Sequence, residues 1–277
     1  AANSTLMAAY APELFWDGRA GRRFEDPDTG AVLLFNGGAL ENQVLGPPLS
    51  EVEMGHPGRA WADVSARLVT AGPLALATDL PPDVAAAITA FPSYPALFAA
   101  AFGTGEITAA RIALAIATYE RTLAPDQTPW DRFIAGDLGA LTPGQARGWD
   151  IFRAPGSRCG ACHTPPFFTD QSFRNIGLRP PAEDSGREAI SADPADRGRF
   201  KVPSLRNVGL KTSFMHNGGI VQGGMDSVLD VLDHYIPANG HVQFPENLDP
   251  LVPGIAIPPG DRFPLALLLA TGVILVG

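Results

Sequence analysis

The run Cys159-Gly160-Ala161-Cys162-His163 constrains this chain more than any other stretch of it. The two cysteines are the only ones in 277 residues, so their chemistry is confined to one place. A Cys-x-x-Cys spacing serves a redox-active dithiol, half of a zinc site, or covalent attachment of a haem. A thioredoxin-like dithiol follows a strand, and no strand pattern precedes Cys159. A zinc site needs further Cys or paired His, and the cysteines are used up. A c-type haem needs what stands here. Two thiols three residues apart on one helical turn can each add to a vinyl group of the same porphyrin, and the adjacent His turns its imidazole toward the iron. Such attachment takes place outside the cytosol, which predicts a periplasmic or otherwise extracytoplasmic chain.

Composition narrows the partners. The formal net charge of -9 argues against nucleic acid, whose phosphates need clustered Lys and Arg. An acidic surface suits a basic electron-donor protein. With 45% hydrophobic residues the chain can build a real core, and 30 Gly and 27 Pro predict long irregular connections. The first ten residues lack a charged and then apolar leader pattern. The apolar run from Phe263 to Val276 falls short of the roughly 20 residues a spanning helix requires, and reads as a buried terminal helix.

Periodicity predicts helices over Trp61–Val69, Pro82–Phe91 and Glu106–Leu123, the last with a broad apolar face through Ile112, Ala115, Ile116 and Tyr119. Thr142-Pro143 reads as the capped start of another, running through Trp149 and Phe152 into the cysteine motif. A further helix is expected over Asp226–Tyr235. Strand alternation and short internal repeats are not apparent. The class is all-α and loop-rich, with a domain boundary near Gly136–Leu141, dividing the chain into 1–138 and 139–277.

Several segments resemble the bacterial di-haem cytochrome c peroxidase and MauG family. They are Leu14-Phe15-Trp16-Asp17-Gly18-Arg19-Ala20, the loop Leu40-Glu41-Asn42-Gln43-Val44-Leu45-Gly46-Pro47 ending in Glu53-Met54, Phe200-Lys201-Val202-Pro203-Ser204-Leu205-Arg206-Asn207-Val208, and Phe214-Met215-His216-Asn217-Gly218-Gly219. They occur in family order over most of the chain. The resemblance implies two cytochrome c-like domains of the di-haem peroxidase type. Residues 1–138 would be the remainder of the peroxidatic domain, and 139–277 the C-terminal cytochrome c domain. The chain departs from the family by holding a single Cys-x-x-Cys-His, and the motif of the first haem would lie upstream of Trp16, before Ala1. It also carries an insertion, Gly21 to Gly38, that reads as a surface hairpin or loop able to bind a partner.

The resemblance also implies roles. Cys159 and Cys162 would carry one haem c, with His163 as its proximal ligand. Tyr235 falls on the position of the other axial ligand, with Met225, Met215 and His234 as competitors. Trp16 would relay electrons between the two haems. Gln43 would orient peroxide at the first haem, and Glu53 would move its protons. Lys201 and Arg206 would meet haem propionates or the domain interface, and His216 would border the second haem. A Ca2+ ion between the domains is a further expectation, with Asn3 as nearest candidate ligand. The implied activity is reduction of hydrogen peroxide with electrons from a small cytochrome c or cupredoxin. The alternatives are MauG-like oxidation of a protein or organic substrate via high-valent haem, and a mono-haem electron-transfer subunit of a larger complex.

Overall fold

Among the described residues the chain is mainly helical, with two small antiparallel ladders. The computed structural model describes residues 4–221, 223–236 and 242–273. Packing divides the chain into two compact units, Ala20–Glu120 and a larger one of Ala1–Arg19 with Arg121–Gly277. Segment 121–138 thus packs with the larger unit, whereas the boundary expected near Gly136–Leu141 was drawn between helical blocks along the sequence.

The smaller unit opens with the insertion, which folds as a hairpin: β1 (Phe24–Glu25) pairs antiparallel with β2 (Val32–Leu34). Its turn is set by Asp26, whose carboxylate accepts the Asp28 N–H at 2.8 Å and whose carbonyl accepts the Gly30 N–H at 2.8 Å, the side-chain chemistry that suits Asp to turns. Phe24 is fully buried and packs with Val44 of α1 (Ala39–Val44) against Ala110 and Ala113 of α5 (Ala109–Glu120). The small alanines on that face leave room for Phe24. Helices α2 (Trp61–Thr70) and α3 (Pro82–Ala90) stand within a residue of their sequence expectation, while α5 is shorter at both ends than Glu106–Leu123. Helix α4 (Tyr94–Phe102) was not expected. Its apolar residues run all round, so no 3.6-residue stripe stands out. Its ends are nonetheless marked: the Ser93 hydroxyl accepts the Ala96 N–H at 3.3 Å, and Gly103 terminates it at φ +83°. Phe98 of α4 packs with Ile107 and Ile112 under Trp61, Val64 and Leu68.

The larger unit holds α6 (Pro129–Ile134), α7 (Pro143–Phe152), α8 (Cys159–Cys162), α9 (Glu188–Ser191), α10 (Gly224–His234) and α11 (Pro259–Leu267), with β3 (Phe173–Arg174) antiparallel to β4 (Phe200–Lys201). Thr142 caps α7 as its sequence predicts. Its hydroxyl accepts the Gln145 N–H at 3.3 Å, and the Gln145 side chain accepts the Thr142 N–H at 2.8 Å, a reciprocal box that satisfies two free donors. α11 continues as a π turn over Leu268–Gly272. The terminal helix therefore starts four residues before Phe263, and its expected end at Val276 lies outside the described residues. Gly148 lets α7 approach α11 and the π turn closely: a Cβ there would strike the Pro264 carbonyl and meet Leu268 Cβ at 2.8 Å. Phe152, Phe168, Leu265, Leu268 and Val273 are almost wholly removed from solvent. Each such side chain contributes on the order of 1.5–3 kcal/mol through its apolar area. No single described helix is long and apolar enough to cross a membrane.

Candidate haem c site

The cysteine turn is built onto the end of α7. Ser157 folds its hydroxyl back onto the Ile151 and Ala154 carbonyls at 2.5 and 3.1 Å, closing the connection. Arg158 then takes a left-handed conformation, φ +54°, from which the single turn of α8 starts. The His163 N–H donates to the Cys159 carbonyl at 2.8 Å, so the two thiols and the imidazole belong to one hydrogen-bonded turn.

His163 is fixed from behind. Its Nδ1 lies 3.0 Å from the Phe168 carbonyl. A carbonyl only accepts, so Nδ1 carries the proton and Nε2 keeps its lone pair for a metal. Burial holds the imidazole below its usual pKa, so it is neutral at neutral pH. Phe168 delivers this carbonyl from φ +53°, a left-handed conformation uncommon for a side chain of its size. Burial also pushes the Cys159 thiol up to about 11 and raises that of Cys162. Both cysteines are free thiols.

These groups line one cavity of about 240 Å³ within the larger unit, together with Trp16, His216 and Tyr235. Much of its remaining wall is apolar, from Leu14, Val202, Leu232, Ile257 and Leu269 among others. Tyr235 closes the last turn of α10. Burial, and then the neighbouring Cys162 and Cys159, hold its phenol well above the usual tyrosine range. Of its competitors, Met215 also lines the cavity. Met225 instead packs into the core, and the His234 Nε2–H donates to the Ile176 carbonyl at 2.9 Å.

Trp16 meets His216 edge-on at 6.4 Å, and His216 stacks flat on Phe200 at 3.7 Å. Burial lowers the His216 pKa to about 4, so it packs as a neutral ring. The Trp16 backbone is clamped: its carbonyl accepts the Lys201 N–H at 2.8 Å, and Arg187 donates to the Asp17 carbonyl at 3.0 Å while pairing with Glu13 at 3.1 Å. Lys201 is buried, donates to the Gln171 side chain at 2.6 Å and lines the cavity. Arg206 also lines it, but most of its donors are engaged by protein: Asp131 twice, the Pro166 carbonyl at 2.7 Å and the Pro125 carbonyl at 3.3 Å.

A second ionic cluster beside the motif was missed in the sequence. Arg174 pairs with Asp170 at 2.6 Å and Asp249 at 2.9 Å, and the Asp170 N–H donates to the Cys162 carbonyl at 2.8 Å. The i,i+4 spacing of Asp170 and Arg174 was the one available signal, whereas Asp249 lies 75 residues from Arg174.

Gln43 and Glu53 belong to the smaller unit. Gln43 sits half-buried in the last turn of α1, and Glu53 is exposed in a turn where its N–H donates to the Ser50 carbonyl at 3.0 Å. Asn3 lies outside the described residues. Among the described residues no cluster of three or more His, Cys, Asp or Glu could hold a metal ion.

The donor set fits a c-type haem: two neutral thiols on one turn, a tautomer-locked imidazole and an apolar cavity. A family profile described as di-haem cytochrome c peroxidase matches residues 1–139. The chain belongs to the di-haem cytochrome c peroxidase family. It is 39% identical over 152 residues to the methylamine utilization protein MauG of Methylorubrum extorquens, covering 54% of this chain and 41% of that protein. It is 35% identical over 136 residues to the cytochrome c551 peroxidase of Nitrosomonas europaea, covering 48% and 40%. The chain thus spans about two fifths of the length of these curated family relatives. The fold is similar to that of a MauG-like protein associated with microbial copper homeostasis, with TM-score 0.69 at 23% identity over 98% of this chain and 74% of that one. This supports the mainly helical, di-haem peroxidase-type architecture.

Proposed function

We propose that this chain carries the electron-handling haem c of a periplasmic or otherwise extracytoplasmic peroxidase, which reduces hydrogen peroxide with electrons from a small redox protein. The observation that carries the reading is the meeting of Cys159, Cys162, His163 and Tyr235 in one cavity beside Trp16. When bound, the haem supplies one-electron redox chemistry. Cys159 and Cys162 would hold it covalently through their sulfurs. His163 would offer Nε2 to the iron, because its Nδ1 proton is committed to the Phe168 carbonyl. Tyr235 is the second candidate iron ligand, and the apolar walls would exclude water. Lys201 would offer its remaining N–H donors to a propionate, and Arg206 holds the adjoining block in place.

A second haem would come from a segment outside these 277 residues. At that haem Gln43 would orient peroxide and Glu53 would carry its proton from one oxygen to the other. The haem-domain boundary near Gly136–Leu141 is part of this proposal. Tyr235 favours a second reading, MauG-like oxidation of a protein or organic substrate, because a phenolate is a hard anionic donor that stabilises oxidised iron.

Two measurements test these readings. Pyridine haemochrome assay with intact mass on the native full-length protein counts haems: two support the peroxidase, and one sinks both two-haem readings. Tyr235→Phe should change the haem spectrum, and an unchanged spectrum removes Tyr235 as ligand.

A further inference from the structure

Four aromatic side chains lead away from the cavity on its His163 side. Phe168 is their hub. Its carbonyl takes the His163 Nδ1–H at 3.0 Å, and its fully buried ring meets Trp130 at 4.8 Å, Phe152 at 5.4 Å and Trp149 at 6.3 Å, each steeply inclined. Trp130 and Trp149 touch at 5.4 Å, and Trp149 stacks on Phe152 at 5.8 Å. Phe152 lines the cavity and Trp130 is buried. Trp149 is only half-buried, next to the exposed Asp150. The cluster therefore has an inner end at the imidazole and an outer end at the surface of the unit.

Packing alone would be served by aliphatic side chains. A run of π systems in contact adds electronic coupling. The Nε1–H of Trp130 is buried and has no hydrogen-bond partner among the described residues. An indole that lost an electron there would have no acceptor for its proton. The Arg206 guanidinium, 5.5 Å from the Trp130 ring centre, further disfavours positive charge on that ring. Charge does not settle on Trp130, so the pair serves as a medium through which an electron tunnels.

We infer that Trp149 is the surface port through which single electrons pass between a docked redox protein and the haem cavity, by way of Trp130, Phe168 and His163. This rests on the donor part of the proposed function. The partner is a small one-electron protein with an exposed cofactor edge; the chain's net charge of -9 steers a basic one toward it, and beside Trp149 the surface pairs Arg153–Asp150 and Arg147–Asp261 offer charges of both signs. In each transfer the donor loses one electron and the iron held by His163 gains it. No bond forms or breaks, and the indole N–H protons stay in place.

The test compares two reductants on the haem-loaded full-length protein by stopped flow. Dithionite is small enough to reach the haem through the cavity mouth, whereas a reduced small cytochrome c or cupredoxin is not. Trp149→Leu should slow reduction by the protein donor severalfold, leaving the dithionite rate and the midpoint potential unchanged. Trp130→Phe, which keeps the ring packing, should slow it less. Equal protein-donor rates for wild type and Trp149→Leu would overturn the port. A parallel loss with both reductants would overturn it too, since it would mark a general disturbance of the pocket. Failure of either protein donor to reduce the wild type would instead sink the donor reading, and the port with it.

Discussion

Arg206 grips Asp131, 75 residues away in sequence, through two parallel N–H···O bonds of 2.8 and 2.6 Å. The same carboxylate accepts the Thr128 N–H at 2.9 Å and hydroxyl at 2.6 Å, so it caps α6 and anchors the block after β4 at once. Arg206→Ala should lower unfolding free energy by about 1.5–3 kcal/mol, because the half-buried Asp131 loses its charge-assisted bonds and keeps only those from Thr128. Arg206→Lys should recover only part of this, because an ammonium cannot make the fork. Urea denaturation of the haem-loaded protein checks both.

The acid limb of stability follows from Asp131 and Asp170. Burial alone would raise both pKa values, but hydrogen bonds from Arg206 and Thr128, and from Arg174 and Ser172, outweigh it and hold them below 3.8. A carboxyl depressed in the folded chain contributes stability above its unfolded pKa and loses it as pH falls through the folded one. Stability from these groups should hold down to about pH 4 and fall below it. Asp170→Asn should make that fall shallower in denaturation curves taken across pH 2 to 6. Matching slopes for mutant and wild type would refute the assignment.

Lys201 acts in the opposite pH range. Burial pushes its ammonium down from 10.5 to about 8. Between those values the unfolded chain holds the proton that the folded chain has released, so stability from this group rises with pH. Lys201→Met should flatten that rise in the haem-free protein, as seen in unfolding midpoints from pH 7 to 10.

Gly18 holds φ +76°, and an added Cβ would meet the Phe173 ring at 2.5 Å as well as the Arg187 guanidinium. Gly18→Ala should cost roughly 1–3 kcal/mol in backbone strain alone. It should also disturb Trp16, two residues earlier, which the near-ultraviolet circular dichroism of the tryptophans can report.

The local signals were easy to read in advance. Cys159, Cys162 and His163 are contiguous, so their chemistry depends on one helical turn. Thr142, Pro143 and Gln145 announce α7 because a capping box is a contact between near neighbours. The turn of the insertion was legible for the same reason, since Asp26 and Gly30 carry their turn chemistry with them, while the sequence left hairpin and loop both open. Helix α4 was hidden because an apolar surface on every side leaves no period to detect.

What the sequence by itself determined is where covalent chemistry is to be expected: one Cys-x-x-Cys-His turn offers two thiols to a haem, and the adjacent imidazole is the expected ligand. Tertiary structure decided which groups surround that turn. It chose the Phe168 carbonyl for the Nδ1 proton of His163, set Tyr235 rather than His234 or Met225 in the cavity wall, and joined Arg174 to Asp249 and Arg206 to Asp131. The physical reason is range. Thioether geometry and helix capping act within a turn of chain. A buried ion pair or a shared cavity exists only after distant segments have been brought together by burial of Phe152, Phe168 and Leu268.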